Sequence, residues 1–119
     1  VFTAGVGERQ PIIRWKSTQG LAHIGIDVDE GRNTLSFTRN AETEISADGS
    51  PTRSFVIPTD EELVMTEDTH ALVNGTYDVH TNFTYTFQKR EYRNLDREAR
   101  FEDDLEERPG MADIRATAP

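Results

Sequence analysis

Carboxylates, histidines and hydroxyls are the groups in this 119-residue chain that could do chemistry. Asp27-Val28-Asp29-Glu30-Gly31 looks like the start of a calcium loop. Such a loop needs oxygen ligands at fixed positions and a closing bidentate Glu. The closing position holds Thr38, and Leu35 and Phe37 read as strand residues, so an acidic hairpin turn fits better. His23, His70 and His80 form no HxH or HExxH pair. His80 could meet His70 or Asp78 across a hairpin and hold zinc, although a solvated strand histidine is the commoner arrangement. A serine hydrolase needs its nucleophile on a tight elbow, and no GxSxG occurs around Ser17, Ser36, Ser46, Ser50 or Ser54. Glu61-Glu62 and Glu102-Asp103-Asp104 are carboxylate runs, but acid–base work needs a cleft that shifts their pKa. No phosphate-cradling glycine loop is present. Asn74-Gly75-Thr76 and Asn82-Phe83-Thr84 match the glycosylation pattern, which has meaning only on a secretory route. The sequence therefore names no catalytic, metal or cofactor-binding residue, and no cofactor.

One stretch could present a binding face. In TYDVHTNFTYTFQ, Tyr77, Val79, Phe83, Tyr85 and Phe87 fall on odd positions. Asp78, His80, Asn82, Thr84 and Thr86 fall on even ones. Strict alternation predicts a strand with an apolar core face and a polar face for water, a partner or a pocket. Together with Ile24, Ile26, Leu35 and Phe37, the odd residues are the predicted core.

The elements that would position this face read as mainly β. Residues 1–10 form an N-terminal arm, 11–108 a single β-rich domain, and 109–119 a flexible tail. PIIRWK is a short strand opened by Pro11. GLAHIGIDV and NTLSFTR, joined by DEGRN, make the clearest hairpin. AETEISA and TRSFVIP are weaker strands joined by ADGSP, and ELVM is a short one. Asn74-Gly75 accepts a tight hairpin or a bulge. NLDREARFEDDLEERPG changes period and predicts one helix stopped by Pro109-Gly110. The expected fold is an antiparallel β-sandwich or partly closed barrel, jelly-roll-like, with one C-terminal helix.

Composition narrows the function. The net charge of −9 disfavours nucleic-acid and membrane-surface partners. At 34% hydrophobic the core is modest, and without cysteine there is no disulfide or thiolate chemistry. Lys16 and Lys89 are the only lysines, which suits either salt adaptation or a GC-rich genome. The chain starts at Val1, as a processed chain or a piece of a longer one would. The compartment is not legible.

From Met65 to Ala99 the chain resembles the closing strands of the C-terminal jelly-roll domain of CocE/NonD-type hydrolases. The residues that carry this are Met65-Thr66-Glu67-Asp68, then Phe87, Lys89 and Arg90, then Arg97-Glu98. Glu91 stands where that family has an aromatic residue, and Asp96 where it has proline. The resemblance implies a supporting β-domain and transfers no catalytic residue. The resulting expectation is a non-catalytic β-domain that works by assembly or binding, a structural subunit that self-associates or joins a larger complex. One alternative is an accessory jelly-roll domain of a CocE-like serine hydrolase whose catalytic domain lies elsewhere. Another is a small-molecule enzyme or binding protein with a site inside a β-barrel, using Asp78, His80, Tyr77 or Tyr85.

Overall fold

A computed structural model describes residues 1–79 and 82–116. It is mainly helical: α1 (Ala4–Arg9), α2 (Pro11–Thr18), α3 (Glu30–Leu35), β1 (Thr43–Glu44), β2 (Phe55–Val56), α4 (Glu61–Val73), α5 (Leu95–Glu107) and α6 (Met111–Ile114), with short 3-10 turns at Ala22–Ile24 and Thr86–Gln88. The expected β-sandwich or barrel is absent among the described residues, whose one sheet has two strands. No described helix is long and apolar enough to cross a membrane. The residues fall into two compact units, Val1–Thr59 with Leu95–Pro119, and Asp60–Asn94.

Local capping decides most of the differences from the expected strands. Pro11 sits at the start of α2, where its missing N–H costs nothing, so PIIRWK is helix. Asp29 accepts a hydrogen bond from the Arg32 N–H at 2.7 Å and caps α3, with Glu30 in the first turn. That cap turns DEGRN and the start of NTLSFTR into helix. Gly25, at φ +85°, ends the turn before it, so the hairpin does not form. A Cβ at Gly25 would sit 3.3 Å from the Pro51 side chain. Ile24 and Phe37, expected in the core, are 59% and 48% exposed. Asp60 caps α4, with Glu61 and Glu62 in the first turn, so ELVM lies inside a helix.

AETEISA and TRSFVIP do meet: β1 and β2 pair antiparallel, Thr43 opposite Val56 and Glu44 opposite Phe55. Single bridges extend this ribbon on both sides, Phe2 beside Val56 and Arg115 beside Thr43. Val28, Ile45 and Val56 form the core of the first unit, with Phe2 and Trp15 packed against them. Each such side chain stabilises by about 1.5–3 kcal/mol.

The helix over NLDREARFEDDLEERPG is present as α5. It buries Phe101, and α6 buries Met111 and Ile114. α6 packs against both α5 and β1.

Candidate functional site

The first unit buries several polar side chains, among them Glu8. This residue, in α1, is 2% exposed. Its Oε1 accepts hydrogen bonds from the Thr59 N–H and the Thr59 hydroxyl, both at 2.9 Å. Its Oε2 faces Nε of the half-exposed Arg39 at 3.5 Å. The backbone that carries Glu8 bends tightly: a Cβ on Gly7 would lie 3.3 Å from the Phe2 backbone, which a side chain cannot readily displace. Ala4, opening α1, stands at φ 59°, a conformation that costs a non-glycine residue about 1–2 kcal/mol.

Arg14 locks this bend from behind. It projects from α2, is fully buried, and spends all five of its N–H donors on oxygen. Nη1 donates to the carbonyls of Gly7 at 2.8 Å and Glu8 at 2.9 Å. Nη2 donates to the carbonyls of Asn33 and Ser36, each at 2.7 Å, and Nε to Asn33 Oδ1 at 2.7 Å. The Asn33 amide in turn donates to the Pro11 carbonyl at 2.9 Å. One planar guanidinium thus ties α1 and α3 to α2. None of its acceptors is a carboxylate. Burial lowers its pKa from the usual value, yet an arginine stays charged at neutral pH. Among the described residues no buried side-chain nitrogen or oxygen lacks a partner.

The face expected to bind is arranged otherwise. Residues 76–79 and 82–88 form no strand, and His80 lies outside the described residues. Asp78 accepts from the Val79 N–H at 2.7 Å and from the Asn82 amide at 2.9 Å. These bonds, the Asn82 one first, hold its carboxyl below the usual range. Thr86 donates its N–H to Glu67 Oε2 at 2.9 Å and its hydroxyl to Oε1 of the same carboxylate. Thr84 is exposed. Among the described residues of the set, Asp78 and Asn82 are the pair joined by a hydrogen bond.

The apolar residues of that stretch do assemble. Tyr77–Phe83, Phe83–Tyr85 and Tyr85–Phe87 have ring centroids 5.3, 4.9 and 5.0 Å apart. These rings meet through turns, Asn82 and Phe83 donating to the Val79 carbonyl and Tyr85 leading into the 3-10 turn Thr86–Gln88, and not through pairing in a sheet. Tyr85 is 4% exposed and donates to Asp68 at 2.8 Å. Burial, then the Asp68 contact, pushes its hydroxyl up to about 12 from 10.0. Folding therefore favours the protonated phenol. Its stabilising contribution is complete below pH 10 and disappears as pH rises through about 12. An alkaline titration followed by phenolate absorbance should show one step near 12 that Tyr85→Phe abolishes; persistence of that step would refute the assignment.

The residues that matter most in the first unit, Glu8 and Arg14, fell in segments read as an arm and a strand. Two signals mark them: Gly5-Val6-Gly7-Glu8, with glycines where backbone must come close, and Pro11 two residues later at a helix start. Among the described residues no three His, Asp or Glu side chains cluster to hold a metal. Among the described residues Glu8 is the one buried carboxylate.

A model of the acetokinase family matches residues 1–67. An acetate kinase of Treponema pallidum is 60% identical over 114 residues, 96% of this chain and 25% of that protein. One of Trichlorobacter lovleyi is 53% identical over 92 residues, 77% of this chain and 22% of that protein. A crystal structure of Porphyromonas gingivalis acetate kinase aligns with 60% of this chain and 18% of its own, at 36% identity and a TM-score of 0.47. The chain spans about a quarter of the length of the relatives it matches. These matches overturn the CocE/NonD resemblance, and with it the accessory jelly-roll domain. Met65 to Asp68, which opened that resemblance, is a turn of α4. They equally overturn the non-catalytic structural subunit, since the relatives are kinases. The β-barrel binding site falls with the barrel.

Proposed function

The chain belongs to the acetokinase family, and from that premise we propose that it is the part of an acetate kinase that brings a buried carboxylate, Glu8, to phosphoryl transfer between a nucleotide and acetate. Such transfer asks little covalent chemistry of a protein; positioning and charge stabilisation do the work. One observation carries the reading: Glu8 is buried yet held by both oxygens, Oε1 by Thr59 and Oε2 by Arg39. Thr59 fills both acceptor positions of Oε1, while Oε2 faces Arg39 at 3.5 Å. A divalent cation held here would supply positive charge against the charge that develops on the transferred phosphoryl group. Glu8 fits as a protein ligand to it, since magnesium takes one or two carboxylates and fills its shell with phosphate and water. Arg14 keeps the backbone of Glu8 from shifting, and Thr59 keeps its carboxylate in one rotamer.

Glu8→Gln tests this in the complete enzyme. It keeps the shape and removes the charge. Turnover should fall on the order of a hundredfold with the unfolding midpoint nearly unchanged. Wild-type turnover would end the proposal. The expected self-association belongs to the same proposal, supported by the exposed apolar side chains Met65, Leu72 and Val73 on α4.

A further inference from the structure

We infer that Asp104 is a positioning residue for the Glu8 carboxylate, acting through Arg39; this rests on the role proposed for Glu8. Asp104 lies in α5, beyond the residues 1–67 that the family model matches. Its Oδ2 accepts from the Thr38 hydroxyl at 2.5 Å and from the Asn40 amide at 2.8 Å. Those residues flank Arg39, whose Nε faces Glu8 Oε2. The loop between α3 and β1 has no regular structure of its own. Among its fixings are the Arg14 bond to the Ser36 carbonyl, the Ser36–Thr43 hydroxyl contact, the two bonds to Asp104, the Ala116 N–H on the Glu42 carbonyl, and the Arg108 guanidinium 5.2 Å from the Phe37 ring centre. Four of these come from the C-terminal segment. Among the described residues, Asp104 alone grips both neighbours of Arg39.

The consequence is a relay of fixed geometry. Asp104 holds Thr38 and Asn40, they set the backbone of Arg39, and that backbone places the Arg39 charge beside the Oε2 that Thr59 has already oriented. Arg39 has a long side chain, half exposed, and without a fixed root it would spread over many rotamers. Glu8 would keep its Thr59 bonds and lose the hold on its outward oxygen.

The test uses the complete enzyme with Asp104→Ala, Arg39→Ala and the double variant. Each single change should lower kcat about tenfold, short of the hundredfold cost of a full ångström misplacement, with KM within about twofold. The double variant should be no worse than Arg39→Ala alone, because both act through one contact. Hydrogen exchange of residues 37–41 should quicken in Asp104→Ala and not in Arg39→Ala. Arg115→Ala is the control: it removes the cation over the Phe101 ring, 4.9 Å away, and weakens α5 without touching Asp104. It should leave kcat unchanged. If Asp104→Ala does not fold, Thr38→Val with Asn40→Ala removes the same two bonds and the Asn40 N–H bond to the Thr38 hydroxyl, and should give at least the same loss. Unchanged or raised kcat in Asp104→Ala, multiplied losses in the double variant, or an equal loss in Arg115→Ala overturns the inference. Normal turnover in Glu8→Gln removes the proposed function, and this inference with it. A Glu8→Gln defect beside a normal Asp104→Ala removes the inference alone.

Discussion

Arg14→Met should cost about 3–5 kcal/mol of stability, among the largest single losses this chain can suffer. The side chain is fully buried and its five donors meet five oxygens at 2.7–2.9 Å. Methionine fills much of the volume and supplies no donor. The carbonyls of Gly7, Glu8, Asn33 and Ser36 and the Asn33 amide oxygen lose this partner together. A buried polar group left without a partner costs about 1–3 kcal/mol, and relaxation recovers part of the total. Removing the charge also recovers the desolvation of a cation, which is why the estimate stays below the full sum. Arg14→Lys should fall between the two. It keeps the charge and three donors but has no planar fork to span three helices. Urea unfolding of the three proteins should rank wild type above lysine above methionine. A methionine variant within 1 kcal/mol of wild type would show that the oxygens find other donors.

Phe101→Ala should cost about 3–5 kcal/mol as well, through a cavity rather than through lost donors. Phe101 is 1% exposed and is the buried anchor of α5. Its ring lies under the Arg115 guanidinium. Truncation should loosen α5 and α6 ahead of the rest, taking with them the Arg115 pairing to Thr43 and the Ala116 bond to Glu42. Hydrogen exchange resolved along the chain should show residues 95–116 losing protection before the Val28–Ile45–Val56 core does. Leu95→Ala on the same helix is a comparison, since Leu95 is 67% exposed and should change stability by less than about 0.5 kcal/mol. Equal losses at the two positions would mean that α5 is not anchored by Phe101.

Much of α5 was legible in the sequence, because Leu95, Ala99, Phe101 and Leu105 keep a helical period and Pro109 stops it. The pairing of AETEISA with TRSFVIP was legible too, since a turn as plain as ADGSP leaves few other partners. The remaining helices were hidden by their shortness. In six or eight residues too few positions separate an alternating from a 3.6-residue period, since i and i+4 fit both, and Ala22, Ile24 and Ile26 looked like a strand face although a 3-10 turn occupies Ala22–Ile24. The caps carried the deciding information: Asp29 before Glu30, Asp60 before Glu61-Glu62, and Pro11 at a first turn. The site was hidden for a different reason. Glu8 and Arg14 belong to no local motif. They matter because Thr59, Asn33 and Ser36 arrive from elsewhere in the chain to surround them, and tertiary closure of that kind leaves no trace in spacing.

The ribbon around β1 and β2 also has a consequence in time. Phe2, Val56, Thr43 and Arg115 stand side by side in one row of backbone pairings, so its two margins come from opposite ends of the sequence. A chain made from its N-terminus can pair Phe2 with Val56 early, but the last margin waits for Arg115 to be synthesised. Until then the edge at Thr43 stays open to other strands. Contacts this distant in sequence also slow closure, because the intervening loop must be ordered before pairing stabilises it. Folding of this unit is therefore expected to finish late, with the arrival of the segment around Arg115 as its gate.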